Sequence, residues 1–316
     1  MSRHARTVLQ ASAALLIVAA VVFFFRAQFV KNWEQVRNVH FKIDYLLLLL
    51  SLACTVASYL INTAVWRYGI NLFATRQAFS FTQSIGMVNA TQLTKYIPGK
   101  VWGYAMQAAL VDRQEFPVST ILYVNIFLAL SSAFICLLVG GVYLVFSSLL
   151  LGRVILVLVT AAVLFTYIFF LAFNSNFFSF LTKVLERVFK RPINFRRITL
   201  GQTMRMQALS LASSAALGLS ALFCAAGVGF SMDGKLAYSI FSGFLVSDTI
   251  GFLAFLVPGG VGIREGLFYL LLREHGSESL ALILPIVMRL LSMFVDATLG
   301  VLGLVYLRKY VKEIPR

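Results

Sequence analysis

Charge is what this sequence has least of. Only 12% of its 316 residues are Asp, Glu, Lys or Arg, while 60% are hydrophobic. A soluble domain carries about 25% charged residues. The polar surface left over is too small to cover a water-soluble globule of this size. Thiols are also scarce. Cys54, Cys136 and Cys224 show no CxxC spacing. Each falls inside a long apolar stretch and reads as a small buried hydrophobe. His4, His40 and His275 are scattered, so no metal-ligand cluster is expected. No P-loop, Rossmann fingerprint, Gly-x-Ser-x-Gly or HExxH motif occurs. These absences predict no catalytic residues, no cofactor, no metal and no enzyme.

Acid is scarcer still: 12 Asp and Glu face 27 Lys and Arg, for a net charge of +15. In a soluble chain that excess would suggest nucleic acid. Here the basic residues sit between apolar runs. Topology and anionic lipid headgroups account for them better, and no nucleic-acid partner is expected.

The apolar residues themselves come in long runs that do not alternate in polarity, which excludes a transmembrane β-barrel. Six runs are long enough to cross a bilayer as helices: about 8–25, 45–65, 118–146, 153–173, 205–229 and 280–306. The first follows the basic start Arg3-His4-Ala5-Arg6. It ends in Phe23-Phe24-Phe25-Arg26, which is no small-residue cleavage site, so it reads as a retained anchor.

Two further stretches, about 79–111 and 237–272, are each broken by Pro-Gly: Pro98-Gly99 and Pro258-Gly259-Gly260. Proline removes a backbone donor and glycine permits a tight turn, so the helix breaks there. Each arm is only about 15 residues long. The stretches are therefore expected to be re-entrant helical hairpins. Irregular backbone at that depth needs protein or a wet cavity around it.

With the N-terminus inside and both hairpins re-entrant, 18 of the 27 Lys and Arg fall inside, 8 outside and Arg289 within a span. That bias predicts a multi-pass protein of the cytoplasmic (inner) cell membrane with both termini cytoplasmic. The 174–205 loop contributes most, with seven basic residues and one acid, Glu186. Within it Phe177, Leu181, Val184, Leu185 and Val188 share a helical face, opposite Lys183, Arg187 and Lys190. That stretch is either an amphipathic helix on the cytoplasmic leaflet or a connector packed on its own protein.

The Pro-Gly sites lie in matched surroundings: span, hairpin, span. The chain therefore reads as one all-α membrane domain, residues 1–316. It comprises an N-terminal anchor and loop (1–40), a first repeat (41–150), a connecting helix with the basic segment (151–204) and a second repeat (205–316). The repeats have inverted topology, an arrangement that puts a binding site near the midplane. Ionisable residues at that depth are costly and tend to be functional or paired. Lys95 and Lys100 flank the first break. Arg264 and Glu265 follow the second, Asp248 precedes it, and Arg289 and Asp296 share a face of the last span. The functional reading is a cationic lining for a lipid phosphate, from Lys95, Lys100, Arg264 and Arg289, oriented by Asp248, Glu265 and Asp296. The structural reading pairs Arg264 with Glu265 and Arg289 with Asp296. Trp102 and Tyr104 are ligand contacts or interfacial anchors.

Pro258-Gly259-Gly260-Val261-Gly262-Ile263-Arg264-Glu265-Gly266 resembles the signature of the lysylphosphatidylglycerol synthase transmembrane region, a flippase-like membrane domain family. Lys95-Tyr96-Ile97-Pro98-Gly99-Lys100-Val101-Trp102 resembles its first-half counterpart. The resemblance implies flipping of phospholipids or lipid-linked glycans. Tyr104 stands where members often carry an acid, so no acidic role is carried over to it. Full-length synthases add a soluble aminoacyl-transferase domain. These 316 residues contain none, and aminoacylation is not expected of them. The leading expectation is a lipid flippase or transporter for an anionic phospholipid or lipid-linked glycan, with the phosphate held between the hairpins. The alternative is a non-catalytic accessory subunit of a glycosyltransferase or glycolipid assembly system. A membrane glycosyltransferase or lipid-modifying enzyme is the corresponding protein partner. An enzyme acting on lipid phosphate is the weakest reading, for want of a nucleophile and base.

Overall fold

The computed structural model describes residues 42–74, 79–96, 102–110, 118–147, 198–254 and 257–313, together with 163, 164, 167, 183, 186 and 187. Eight α-helices are delimited there: α1 Tyr45–Asn71, α2 Phe81–Gln92, α3 Trp102–Leu110, α4 Val118–Ser147, α5 Leu200–Gly227, α6 Gly234–Leu253, α7 Ile263–Leu272 and α8 Glu278–Glu313. Short 3-10 turns occupy Leu93–Tyr96 and Pro258–Gly260. No strand occurs among the described residues. Among the described residues, five helical stretches are long and apolar enough to cross a membrane: Tyr45–Asn71, Thr120–Gly140, Leu200–Gly227, Gly234–Leu253 and Glu278–Leu307.

Four of these answer the runs expected at 45–65, 118–146, 205–229 and 280–306. The run at 8–25, most of 153–173 and most of the amphipathic stretch 177–190 lie outside the described residues, although Lys183, Glu186 and Arg187 are helical. The fifth stretch is a correction. The helices flanking the second break are unequal, 20 residues in α6 and 10 in α7, where two arms of about 15 were expected. The cause is local. Asp233 caps α6, its carboxylate accepting from Leu236 N at 2.7 Å, which fixes the start of the first arm. Among the described residues the break then takes up Ala254 and the backbone from Val257 to Gly262, well beyond the Pro-Gly pair itself.

The chain forms two compact units that interleave along the sequence. The first takes the described parts of 1–57, 93–102 and 215–298. Its apolar core packs Phe244, Phe268, Tyr269 and Leu272 with Leu280, Leu284 and Met288. In this unit α1 and α5 are joined by hydroxyls: Ser51 Oγ donates to Ser220 O at 2.8 Å, and Thr55 Oγ1 and Ser220 Oγ lie 2.7 Å apart. Small polar residues let two apolar helices approach closely where lipid removes the hydrophobic driving force.

The second unit takes the described parts of 58–92, 103–214 and 299–316. Its core is built on Trp66, Met87, Tyr123, Phe127 and Met206. A buried amide network ties α2 and α3 to α4. Asn125 Nδ2 donates to Gln107 Oε1 at 2.7 Å, and Gln107 Nε2 donates to Thr91 Oγ1 at 3.0 Å. Replacing Asn125 with leucine leaves Gln107 Oε1 without that donor in an apolar surrounding. The expected loss is about 1–3 kcal/mol. It is read as a lower unfolding temperature in detergent, with Thr91→Val costing less. An Asn125→Leu protein as stable as wild type would show that the network is not needed for stability.

Candidate functional site

The site grows from the second break. Gly259, Gly260 and Gly262 all have positive φ, at 58°, 66° and 86°. Residues with a Cβ avoid that region. Three such positions within four residues, two of them in the 3-10 turn Pro258–Gly260, lead the chain into α7. The turn presses on α6: a Cβ on Gly260 would sit 2.5 Å from Gly251 O, and one on Gly251 would sit 2.8 Å from Arg264 Cβ. Glycines on both sides of this contact therefore let α7 start directly beside α6. At that start, Glu265 Oε2 accepts from Gly262 N, and this capping contact turns the Glu265 side chain back toward the break.

Three ion pairs converge there. Arg264 Nη1 lies 2.7 Å from Asp248 Oδ1. Arg289 Nη1 lies 3.4 Å from Glu265 Oε1 and donates to Gly259 O at 2.9 Å. Lys95 Nζ lies 2.7 Å from Asp296 Oδ2 and donates to Oδ1 at 2.8 Å. Helix α8 supplies Arg289, Ser292 and Asp296 from one face, at spacings of three and seven. The Arg264 guanidinium reaches Ser292 Oγ at 3.4 Å and lies 4.9 Å from the centre of the Phe244 ring.

The 3-10 turn Leu93–Tyr96, which precedes the first Pro-Gly pair in the sequence, packs on Pro258–Gly260. Tyr96 OH donates to Asp296 Oδ2 at 2.6 Å. Its ring lies 5.7 Å from the Arg289 guanidinium and covers Gly259, whose added Cβ would sit 3.3 Å from it. The turn Leu93–Tyr96 and the second Pro-Gly segment thus meet within the first unit, joined by Lys95 and Tyr96 on one side and α8 on the other.

Of the residues expected from the sequence, Lys95, Asp248, Gly259, Gly260, Arg264, Glu265, Arg289 and Asp296 are brought together, along with the backbone of Pro258. Trp102 is about half exposed, at 52%. Tyr104 falls in the second unit. Pro98, Gly99 and Lys100 lie outside the described residues. The pairing differs from the structural expectation. Arg264 and Glu265 are sequence neighbours about 100° apart on a helix and turn to different partners. Arg289 and Asp296 are two turns apart, so each takes a carboxylate or cation from another element. Tyr96, Ser292, Phe244 and Gly251 were missed. Ser292 was legible, lying between Arg289 and Asp296 on the same face, whereas nothing local marks Tyr96 as the donor to Asp296. Among the described residues no group of three His, Cys, Asp or Glu could hold a metal ion.

The six charged groups balance, three against three. Such a set suits exchange: a charged ligand can take over one partner of a pair while the rest stay compensated. The model of the lysylphosphatidylglycerol synthase TM region matches residues 12–300. The chain belongs to that family. No curated protein matches it. Membership and the apolar helices together make this a multi-pass membrane protein of a lipid-related family.

Proposed function

We propose that this member of the lysylphosphatidylglycerol synthase TM family is a non-enzymatic lipid flippase or transporter. It moves an anionic phospholipid or lipid-linked glycan across the cytoplasmic membrane. The two broken segments act as re-entrant hairpins of an inverted repeat, and both termini are cytoplasmic. Lys95, Arg264 and Arg289, joined by Lys100, draw the lipid phosphate, while Asp248, Glu265 and Asp296 orient them. The observation that carries this reading is the gathering of three cations where the turn Leu93–Tyr96 packs on the second helix break. Interrupted helices at membrane depth are the usual setting of a transporter's binding site.

The test is transbilayer movement of fluorescent phospholipids in phosphatidylcholine vesicles holding the full-length protein, followed with an outer-leaflet quencher. Phosphate-bearing headgroups should equilibrate faster than in protein-free vesicles. Arg264→Ala should slow them more than Arg264→Lys, because a guanidinium grips phosphate in a bidentate way and an ammonium acts as a point charge. Loss of one charge-assisted hydrogen bond is worth roughly 1.5–3 kcal/mol, or about a tenfold to hundredfold weakening. No acceleration for any headgroup by a folded protein would leave the accessory-subunit reading in place of this one.

A further inference from the structure

The three pairs differ in which partner they expose. In the Lys95–Asp296 pair the cation is 32% exposed and the carboxylate 1%. In the Arg264–Asp248 pair the order is reversed, 14% against 34%. The Arg289–Glu265 pair is buried on both sides, at 13% and 8%. Among these pairs, then, only the first presents its cation to an arriving anion. At the second the carboxylate is the more exposed partner.

The contacts that hold each cation sort them the same way. Arg289 is held by the Gly259 carbonyl, and Arg264 lies between Asp248, Ser292 and the Phe244 ring. Lys95 is a point charge on a flexible stem and can swing without breaking a planar fork. Its departure would normally be costly, because a buried carboxylate stripped of its partner is strongly destabilised. Asp296 has a second donor, however: Tyr96 OH, at 2.6 Å. Tyr96 is itself held by the Arg289 guanidinium over its ring and by Gly259 beneath it.

We propose that Lys95 takes the lipid phosphate, that Asp296 is the resident counter-anion this phosphate displaces, and that Tyr96 keeps Asp296 hydrogen-bonded during the exchange. This assignment rests on the lipid-transport reading and makes Asp296 a competitor of the ligand, with Tyr96 a positioning residue.

The experiment is equilibrium binding of fluorescent phosphatidylglycerol to the full-length protein in neutral detergent. Asp296→Asn removes the competing charge while still accepting from Tyr96, so it should tighten binding on the order of tenfold, one charge-assisted hydrogen bond. Lys95→Gln should weaken binding by at least as much, and Asp296→Asn should bring no gain in a Lys95→Gln background. Tyr96→Phe should weaken binding in the wild-type background and have no effect beside Asp296→Asn, a coupling that general loss of packing would not produce. Weaker binding by Asp296→Asn, or tightening that persists without Lys95, overturns the proposal. Complete displacement of the lipid by excess inorganic phosphate would make this a free-phosphate site and overturn the lipid assignment. If Lys95→Gln binds normally while wild type still moves phospholipid, this assignment falls and the transport reading stands. If wild type neither binds nor moves phosphatidylglycerol, both fall for phospholipids.

Discussion

Arg289→Met destabilises the protein by about 3–5 kcal/mol, the cost of removing one member of a buried ion pair. The magnitude follows from what Arg289 serves. Its guanidinium neutralises Glu265, whose side chain is only 8% exposed, and donates to the Gly259 carbonyl at 2.9 Å. It also backs the Tyr96 ring, which belongs to the other break. One substitution therefore leaves a buried carboxylate uncompensated and a strained turn without a donor. Thermal unfolding in detergent measures the loss. Glu265→Gln added to Arg289→Met should recover a large part of it, since the stranded charge disappears while the Gly262 N–H can still be accepted. An Arg289→Met protein as stable as wild type, or a double variant no better than the single, would mean that the pair contributes little to the fold.

Gly260→Ala is expected to be comparably damaging for a different reason. Its φ of 66° lies in the left-handed region, which costs an alanine about 1–2 kcal/mol. The new Cβ would also meet Gly251 O at 2.5 Å and two further backbone atoms of Gly251 within 2.9 Å. Backbone cannot rotate aside as a side-chain tip can. The start of α7 must move away from α6, taking Arg264 off Asp248. Strain and overpacking together suggest a loss of roughly 2–5 kcal/mol. Gly266→Ala is the control. Gly266 lies within α7, and a Cβ there meets nothing within 4 Å. Alanine is the better helix former by up to about 1 kcal/mol, so that variant should be neutral or more stable. Equal unfolding temperatures for the two variants would show that the turn relaxes and that the close approach of α6 and the break is not required.

Much of this molecule was legible along the chain. Runs of twenty or more apolar residues can hide their backbone polar groups in a bilayer only as helices, so α1, α4, α5 and α8 followed from hydropathy alone. Pro258-Gly259-Gly260 marked its break because proline and glycine act on the backbone at their own positions. Six of the seven charged residues singled out in the sequence come together in the structure, Lys100 lying outside the described residues, and they stood out because few ionisable groups occur in such apolar surroundings. The tertiary structure decided the rest. Lys95 finds Asp296 across 201 positions of sequence, and no local pattern specifies a contact of that range. Sequence spacing proposed Arg264 with Glu265 and Arg289 with Asp296. A helix turns neighbours apart and sets residues seven apart two turns from each other, so the cations reached past those partners to other elements. The unequal lengths of α6 and α7 depend on Asp233 capping α6 and on glycines that continue the break to Gly262. Exposure also lies beyond the sequence. Three cations of the same sign are equivalent in a string of letters, and only packing makes Lys95 accessible while its carboxylate is buried.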